Sequence, residues 1–145
     1  MFCCRAAALI IQDKKLLVVE DSINLPGFYY AIGGAINAHE TSEEAVTREV
    51  YKETGARLDV ERLGFVNEEF FIIGGKKFHQ ISFYYLMKIE QPLDIFAGRP
   101  TDQKGESLHW LPLNDLRNYN LVPRFLQSRR LEDLTVAEHI ITKEY

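Results

Sequence analysis

An α/β (α+β) fold, a sheet carrying one strong helix, is what this 145-residue chain predicts, and three observations predict it. Several runs are rich in β-branched and aromatic residues and bounded by turn signals, as strands are. One segment, Thr41 to Gly55, has a helix start, an amphipathic middle and a helix stop. A hydrophobic content of 46% is enough for one substantial core, so a single domain over residues 1–145 is expected.

Taken in order, residues 5–11 (RAAALII) and 15–19 (KLLVV) read as strands joined by Gln12-Asp13-Lys14. Phe28 to Gly34 (FYYAIGG) reads as the strand that leads into the helix. Thr41 with Glu44 three residues later is a capping-box signature. Glu43 and Glu44 put negative charge in the first turn, where the helix dipole favours it. Val46, Val50 and Tyr51 supply the buried side, and Gly55 suits the left-handed residue that ends a helix. Residues 57–73 and 77–89 flank Gly74-Gly75 and predict a long hairpin. Residues 90–104 form the one extended irregular stretch, and such loops in compact domains are often functional.

Composition excludes several classes. No apolar run approaches the roughly 20 residues that span a bilayer, so no membrane partner is expected. The apolar opening MFCCRAAALII has Arg5 inside it rather than before it, and reads as a strand rather than a signal peptide. Cys3 and Cys4 would point to opposite faces of that strand, so no bond between them is expected, and a zinc site lacks ligands. Cytoplasm is the expected compartment. A formal net charge of −4 argues against a general nucleic-acid surface. Arg124, Arg129 and Arg130 are assigned to a solvated helix face.

Residues 34–56 read GAINAHETSEEAVTREVYKETGA and hold most of the chemistry. Glu49 and Glu53 are four apart, which puts both on one helix face. Gly33 and Gly34 let backbone approach a ligand or metal without a Cβ in the way. Magnesium-like cations take oxygen ligands, commonly one or two carboxylates with phosphates and water. Taken alone, the two glutamates also fit an ordinary amphipathic surface helix.

The register of the whole segment resembles the Nudix box, G-x5-E-x7-R-E-U-x-E-E-x-G-U with U aliphatic. Gly34 opens it, Glu40 follows, then Arg48-Glu49, Val50, Glu53 and Gly55-Ala56. One position departs: Lys52 stands where the first glutamate of the pair belongs. The resemblance implies an αβα sandwich around a mixed sheet, with Leu108–Leu116 as a late strand and short helix. It also implies hydrolysis of a pyrophosphate bond in a nucleoside diphosphate-linked substrate, by water activated on Mg2+ or Mn2+. Glu53 would be a ligand, Glu49 a ligand or base, and the Gly33 carbonyl a further ligand.

Arg48 is expected to orient a box glutamate, and Glu40 to hold the loop. Glu106 and Asp102 are candidates for an extra carboxylate. His79 and Tyr30 are candidates near the substrate, though a histidine and a tyrosine in strands also fit plain packing. A nucleotide-type small molecule is the expected partner, with a homodimer left open. The alternative to an enzyme is a catalytically weak Nudix-fold module that binds a nucleotide as a sensor. Lys52 favours that alternative, while the retained Gly34, Glu40, Arg48, Glu49 and Glu53 favour hydrolysis.

Overall fold

Side-chain alternation along the first strand divides the molecule. In a computed structural model that describes residues 1–145, Ala6 and Ala8 of β1 (Phe2–Leu9) point to one side of the sheet, Ala7 and Leu9 to the other. All four are buried, so both faces of the strand are covered. β3 (Lys15–Asp21) repeats the pattern, with Leu17 and Val19 on the first side and Leu16 and Val18 on the second.

The remaining strands are β2 (Ile11–Gln12), β4 (Leu25–Ala35), β5 (Asp59–Ile73), β6 (Lys76–Lys88), β7 (Arg99–Pro100), β8 (Glu106–Pro112) and β9 (Glu138–Lys143). Their order in the sheet is β7-β8-β3-β4-β1-β6-β5-β9, with β2 paired to β3. The β1–β6 and β5–β9 pairs are parallel and the others antiparallel, which makes the sheet mixed. β4 is the junction: residues 29–31 pair with β3, and residues 32–35 pair with β1.

One α-helix, α1 (Ser42–Thr54), covers the first side through Ala45, Val46 and Val50. Small residues on β1 let it approach closely, and each buried valine contributes roughly 1.5–3 kcal/mol by leaving water. The capping box forms as the sequence predicts: Glu44 N–H donates to Thr41 Oγ1 at 3.0 Å, and Thr41 N–H to Glu44 Oε1 at 2.9 Å. Gly55 ends the helix at φ +77°. Tyr51 differs from expectation. It lies off the 46/50 face, 47% exposed, under the Arg57 guanidinium at 4.5 Å.

The second side of the sandwich is covered by three short 3-10 turns, Leu113–Asn118, Arg124–Gln127 and Leu131–Asp133, which supply Leu116, Phe125, Leu126 and Leu131. Prolines 112 and 123 open the first two turns, and neither segment is long enough to continue as an α-helix. The arginines therefore share no helix face. Arg129 pairs with Glu138 and Arg130 with Asp133, both at 2.9 Å.

Two turns are tighter than the sequence suggests. Gln12 stays in β2, paired with Lys15, and only Asp13 and Lys14 turn, both at positive φ. Gly74 and Gly75 likewise turn alone between β5 and β6, at φ +57° and +77°. Two-residue hairpins of this kind match the twist of their strands. No helix is long and apolar enough to cross a membrane.

Candidate active site

Register brings β4 and α1 together at Gly34. This glycine pairs with Ala6, and a Cβ built on it would lie 2.6 Å from both Cδ and Oε1 of Glu49. The place a side chain would take is filled by the Glu49 carboxylate. Gly33 is equally constrained, because a Cβ there would sit 2.4 Å from the Ala6 carbonyl oxygen.

Arg48 locks this junction. Its Nε and Nη2 donate to the two oxygens of Glu40 at 2.8 and 3.0 Å, its Nη1 to Glu49 Oε1 at 2.6 Å, and its Nη2 also to the Ala35 carbonyl at 3.0 Å. Glu40 in turn accepts from the Asn37 N–H at 3.0 Å. These bonds from Arg48 and Asn37 pull the Glu40 carboxyl down to about 2. One arginine thus ties the loop before the helix, the strand end and Glu49 into a single unit. A planar guanidinium fork suits that task better than a lysine would.

Glu53, one turn on, is held differently. Its Oε2 is buried without a hydrogen-bond partner. Burial, followed by repulsion from Glu106 and Glu49, pushes its carboxyl up to about 8, against smaller pulls from Lys52 and Arg5. Glu106, at the start of β8, is 9% exposed and accepts from Thr101 Oγ1 at 2.9 Å and Tyr30 Oη at 3.3 Å. That carboxylate and the burial of its ring raise the Tyr30 phenol, with burial the larger cause.

Glu49, Glu53, Glu106 and Tyr30 are therefore neighbours in one acidic corner. Other candidates are not. Asp102 is exposed in the turn before β8. His79 is packed between Phe70, stacked at 4.3 Å, and Phe2 at 4.8 Å, with its Nε2 buried and unpartnered. Lys52 is exposed and forms no ion pair.

Arg5 and Thr101 are the residues that sequence reasoning passed over. Arg5 is a lone charge in a strand, and Thr101 acts through a contact that only the fold creates. A depression on the outer side of α1, between Arg48, Tyr51, Arg57 and Asp59, contains neither Glu49 nor Glu53. It is an open dip, while the acidic corner lies on the sheet side of the helix.

The donor set fits a hard divalent cation. It offers carboxylate oxygens, one of them buried with nothing to bond, beside two glycines where a side chain would clash. No three acids, histidines or cysteines converge tightly enough to enclose an ion by themselves, so further ligands would come from phosphate and water.

Residues 3–130 match the model of the NUDIX domain. The chain belongs to the Nudix family. Among curated relatives it is similar to Phosphatase NudJ of Escherichia coli strain K12, 27% identical over 134 residues that cover 92% of this chain and 78% of that one. It is also similar to a Caenorhabditis elegans protein provisionally named nudix hydrolase 1, 30% identical over 140 residues. That match covers 91% of this chain but 35% of the worm protein, so the chain spans about a third of that relative.

Solved structures share the fold. The mutator MutT protein of Bacillus halodurans aligns over 98% of this Nudix chain and 91% of its own, with TM-score 0.67 and 15% identity. A Nudix hydrolase from Nitrosomonas europaea aligns over 88% and 85%, with TM-score 0.61 and 19% identity. At these identities the structures speak for the fold, a mixed sheet with few helices.

Proposed function

We propose that this Nudix chain is a hydrolase that cleaves a pyrophosphate bond in a nucleoside diphosphate-linked substrate with the help of Mg2+ or Mn2+. The observation that carries the reading is the Glu53 carboxyl, buried with an unpartnered oxygen beside Glu49 and Glu106. A buried acid in acidic company destabilises a fold unless something of opposite charge uses it.

Glu53 and Glu49, with the Gly33 carbonyl, would hold the cation, and Glu106 adds a further carboxylate. A divalent cation bound there supplies neutralisation of charge on the diphosphate and activation of water. Arg48 holds one Glu49 oxygen, and the missing Cβ at Gly34 leaves room for that carboxylate. Glu40 acts through Arg48. Glu53, with its raised proton affinity, would have to lose a proton to hold a cation.

A second reading, a weak hydrolase that serves as a nucleotide binder, is favoured by Lys52, which removes the carboxylate next to Glu53. One screen separates the two. Nucleoside triphosphates, nucleotide sugars and nucleoside diphosphates are incubated with Mg2+ or Mn2+, and phosphate and pyrophosphate are followed separately. Turnover that stops in excess chelator supports the hydrolase. Tight nucleotide binding with no turnover of any compound supports the binder.

A further inference from the structure

We propose that Thr101 and Tyr30 are positioning residues that hold Glu106 toward Glu49 and Glu53, so that the hairpin from Arg99 to Glu106 is the arm that completes the acidic site. The inference rests on the metal-dependent reading above and assigns work to a loop and to a threonine outside the box.

Both carboxylate oxygens of Glu106 are engaged, each by a different element. Thr101 Oγ1 donates to Oε1 at 2.9 Å, from within the hairpin. Tyr30 Oη donates to Oε2 at 3.3 Å, from the strand that runs into Gly33 and Gly34. A carboxylate bonded at both oxygens, and 9% exposed, is held in place, at the end of a hairpin whose Arg99 reaches the carbonyl of Thr54 beside Glu53. Hydrogen bonds of this kind fix ligating carboxylates and tune their basicity.

The hairpin is anchored as a unit. Thr101 N–H donates to the Glu106 carbonyl at 3.1 Å, and Glu106 N–H to the Gln103 carbonyl at 3.1 Å. The Gly105 carbonyl accepts from Ser22 N–H at 2.9 Å and from Ser22 Oγ at 3.0 Å. Gly105 itself sits at φ +88°, and a Cβ there would meet Ile23 at 2.7 Å. At its other end, Arg99 Nη1 donates to the carbonyl of Thr54, the residue after Glu53, at 3.3 Å. The arm is thus fastened to β3 on one side and to the end of α1 on the other. The bonds to Ser22 and Thr54 reach outside the hairpin, whose own strands pair through Arg99 and Pro100.

The test is Mn2+ binding to the full chain without substrate, followed by the electron paramagnetic signal of free Mn2+, with thermal unfolding alongside. Thr101→Val removes the donor and keeps the shape; Tyr30→Phe keeps the ring; Thr101→Ser keeps the hydroxyl. Expected are affinities weakened by about tenfold in Thr101→Val and by somewhat less in Tyr30→Phe, whose bond is longer, with Thr101→Ser near wild type.

In a Glu106→Gln background the Thr101→Val change should add little, because both act through one carboxylate. Thr101→Val binding Mn2+ within about twofold of wild type, or costing as much in the Glu106→Gln background as alone, overturns the proposal. Equal losses in Thr101→Ser and Thr101→Val also overturn it, since packing rather than the hydroxyl would then be at work. Glu53→Gln separates the two levels. If it weakens Mn2+ binding while Thr101→Val and Tyr30→Phe do not, only the arm is wrong. If it too leaves binding unchanged, the metal site itself is misplaced.

Discussion

Glu53 carries the tension of the site in one side chain. Its carboxyl binds a proton up to about pH 8 in the fold, against an ordinary value of 4.5. The folded chain therefore holds that proton more tightly than the unfolded one, and the penalty for ionising it grows as pH rises from 4.5 to 8. In chelator, Glu53→Gln should accordingly be more stable than wild type at pH 8.5, by more than about 1 kcal/mol, and no more stable at pH 4. Urea unfolding at the two pH values measures this, and equal midpoints at pH 8.5 would mean that Glu53 is not strained. Lys52 is the companion case. It is exposed and unpaired, so its cost is the carboxylate it replaces more than the charge it brings. Lys52→Glu should tighten Mn2+ binding and raise turnover. Calorimetric titration with parallel rates checks it, and unchanged affinity with an unchanged or lower rate would clear Lys52 of limiting the site.

At the scale of elements, the loop before α1 and the helix are one device joined by Arg48. The Glu40 carboxyl, held near 2 by Arg48 and the Asn37 N–H, contributes stability that is present above about 4.5 and lost as pH falls toward 2. Glu40→Gln should therefore lower the unfolding midpoint at pH 7 and approach wild type near pH 2. The effect is modest, because Arg48 is 36% exposed and water screens the pair. A gap that stays constant across that range would show the ion pair to be idle. Gly34→Ala probes the other half of the device. Its Cβ would strike the Glu49 carboxylate at 2.6 Å, and Mn2+ affinity should fall by about tenfold. Gly55→Ala, at φ +77° with open space around it, should instead cost about 1 kcal/mol of stability with binding intact. Similar Mn2+ affinities in Gly34→Ala and wild type would show that Glu49 has freedom the packing denies it.

For the whole molecule, what could be read in the sequence was what depends on local spacing. The capping box, the Gly55 stop and the Gly74-Gly75 hairpin each rest on a few adjacent residues, and the structure forms all three. The box acids were legible for the same reason, as an i, i+4 pair on one helix. What escaped depends on contacts between distant segments. β9 pairs with β5 across some 70 residues, and its short HIITK run carries no turn signal that would mark it as a strand. The 3-10 layer is built from loops whose apolar residues, Leu121, Phe125 and Leu131, show no helical period. Tyr30 gains its meaning only where β4 faces Glu106, and Thr101, five residues from Glu106, only once that carboxylate is seen in the acidic corner. The central claim is that this corner hydrolyses a pyrophosphate bond through Glu53. The most direct measurement is kcat/KM for the best substrate of the screen at saturating Mn2+, wild type against Glu53→Gln, each repeated in excess chelator. The expected result is a loss of at least about a hundredfold in Glu53→Gln, the scale of removing one key charge from a reacting centre, and no wild-type activity in chelator. Activity that persists in chelator, or that Glu53→Gln leaves unchanged, would contradict the account.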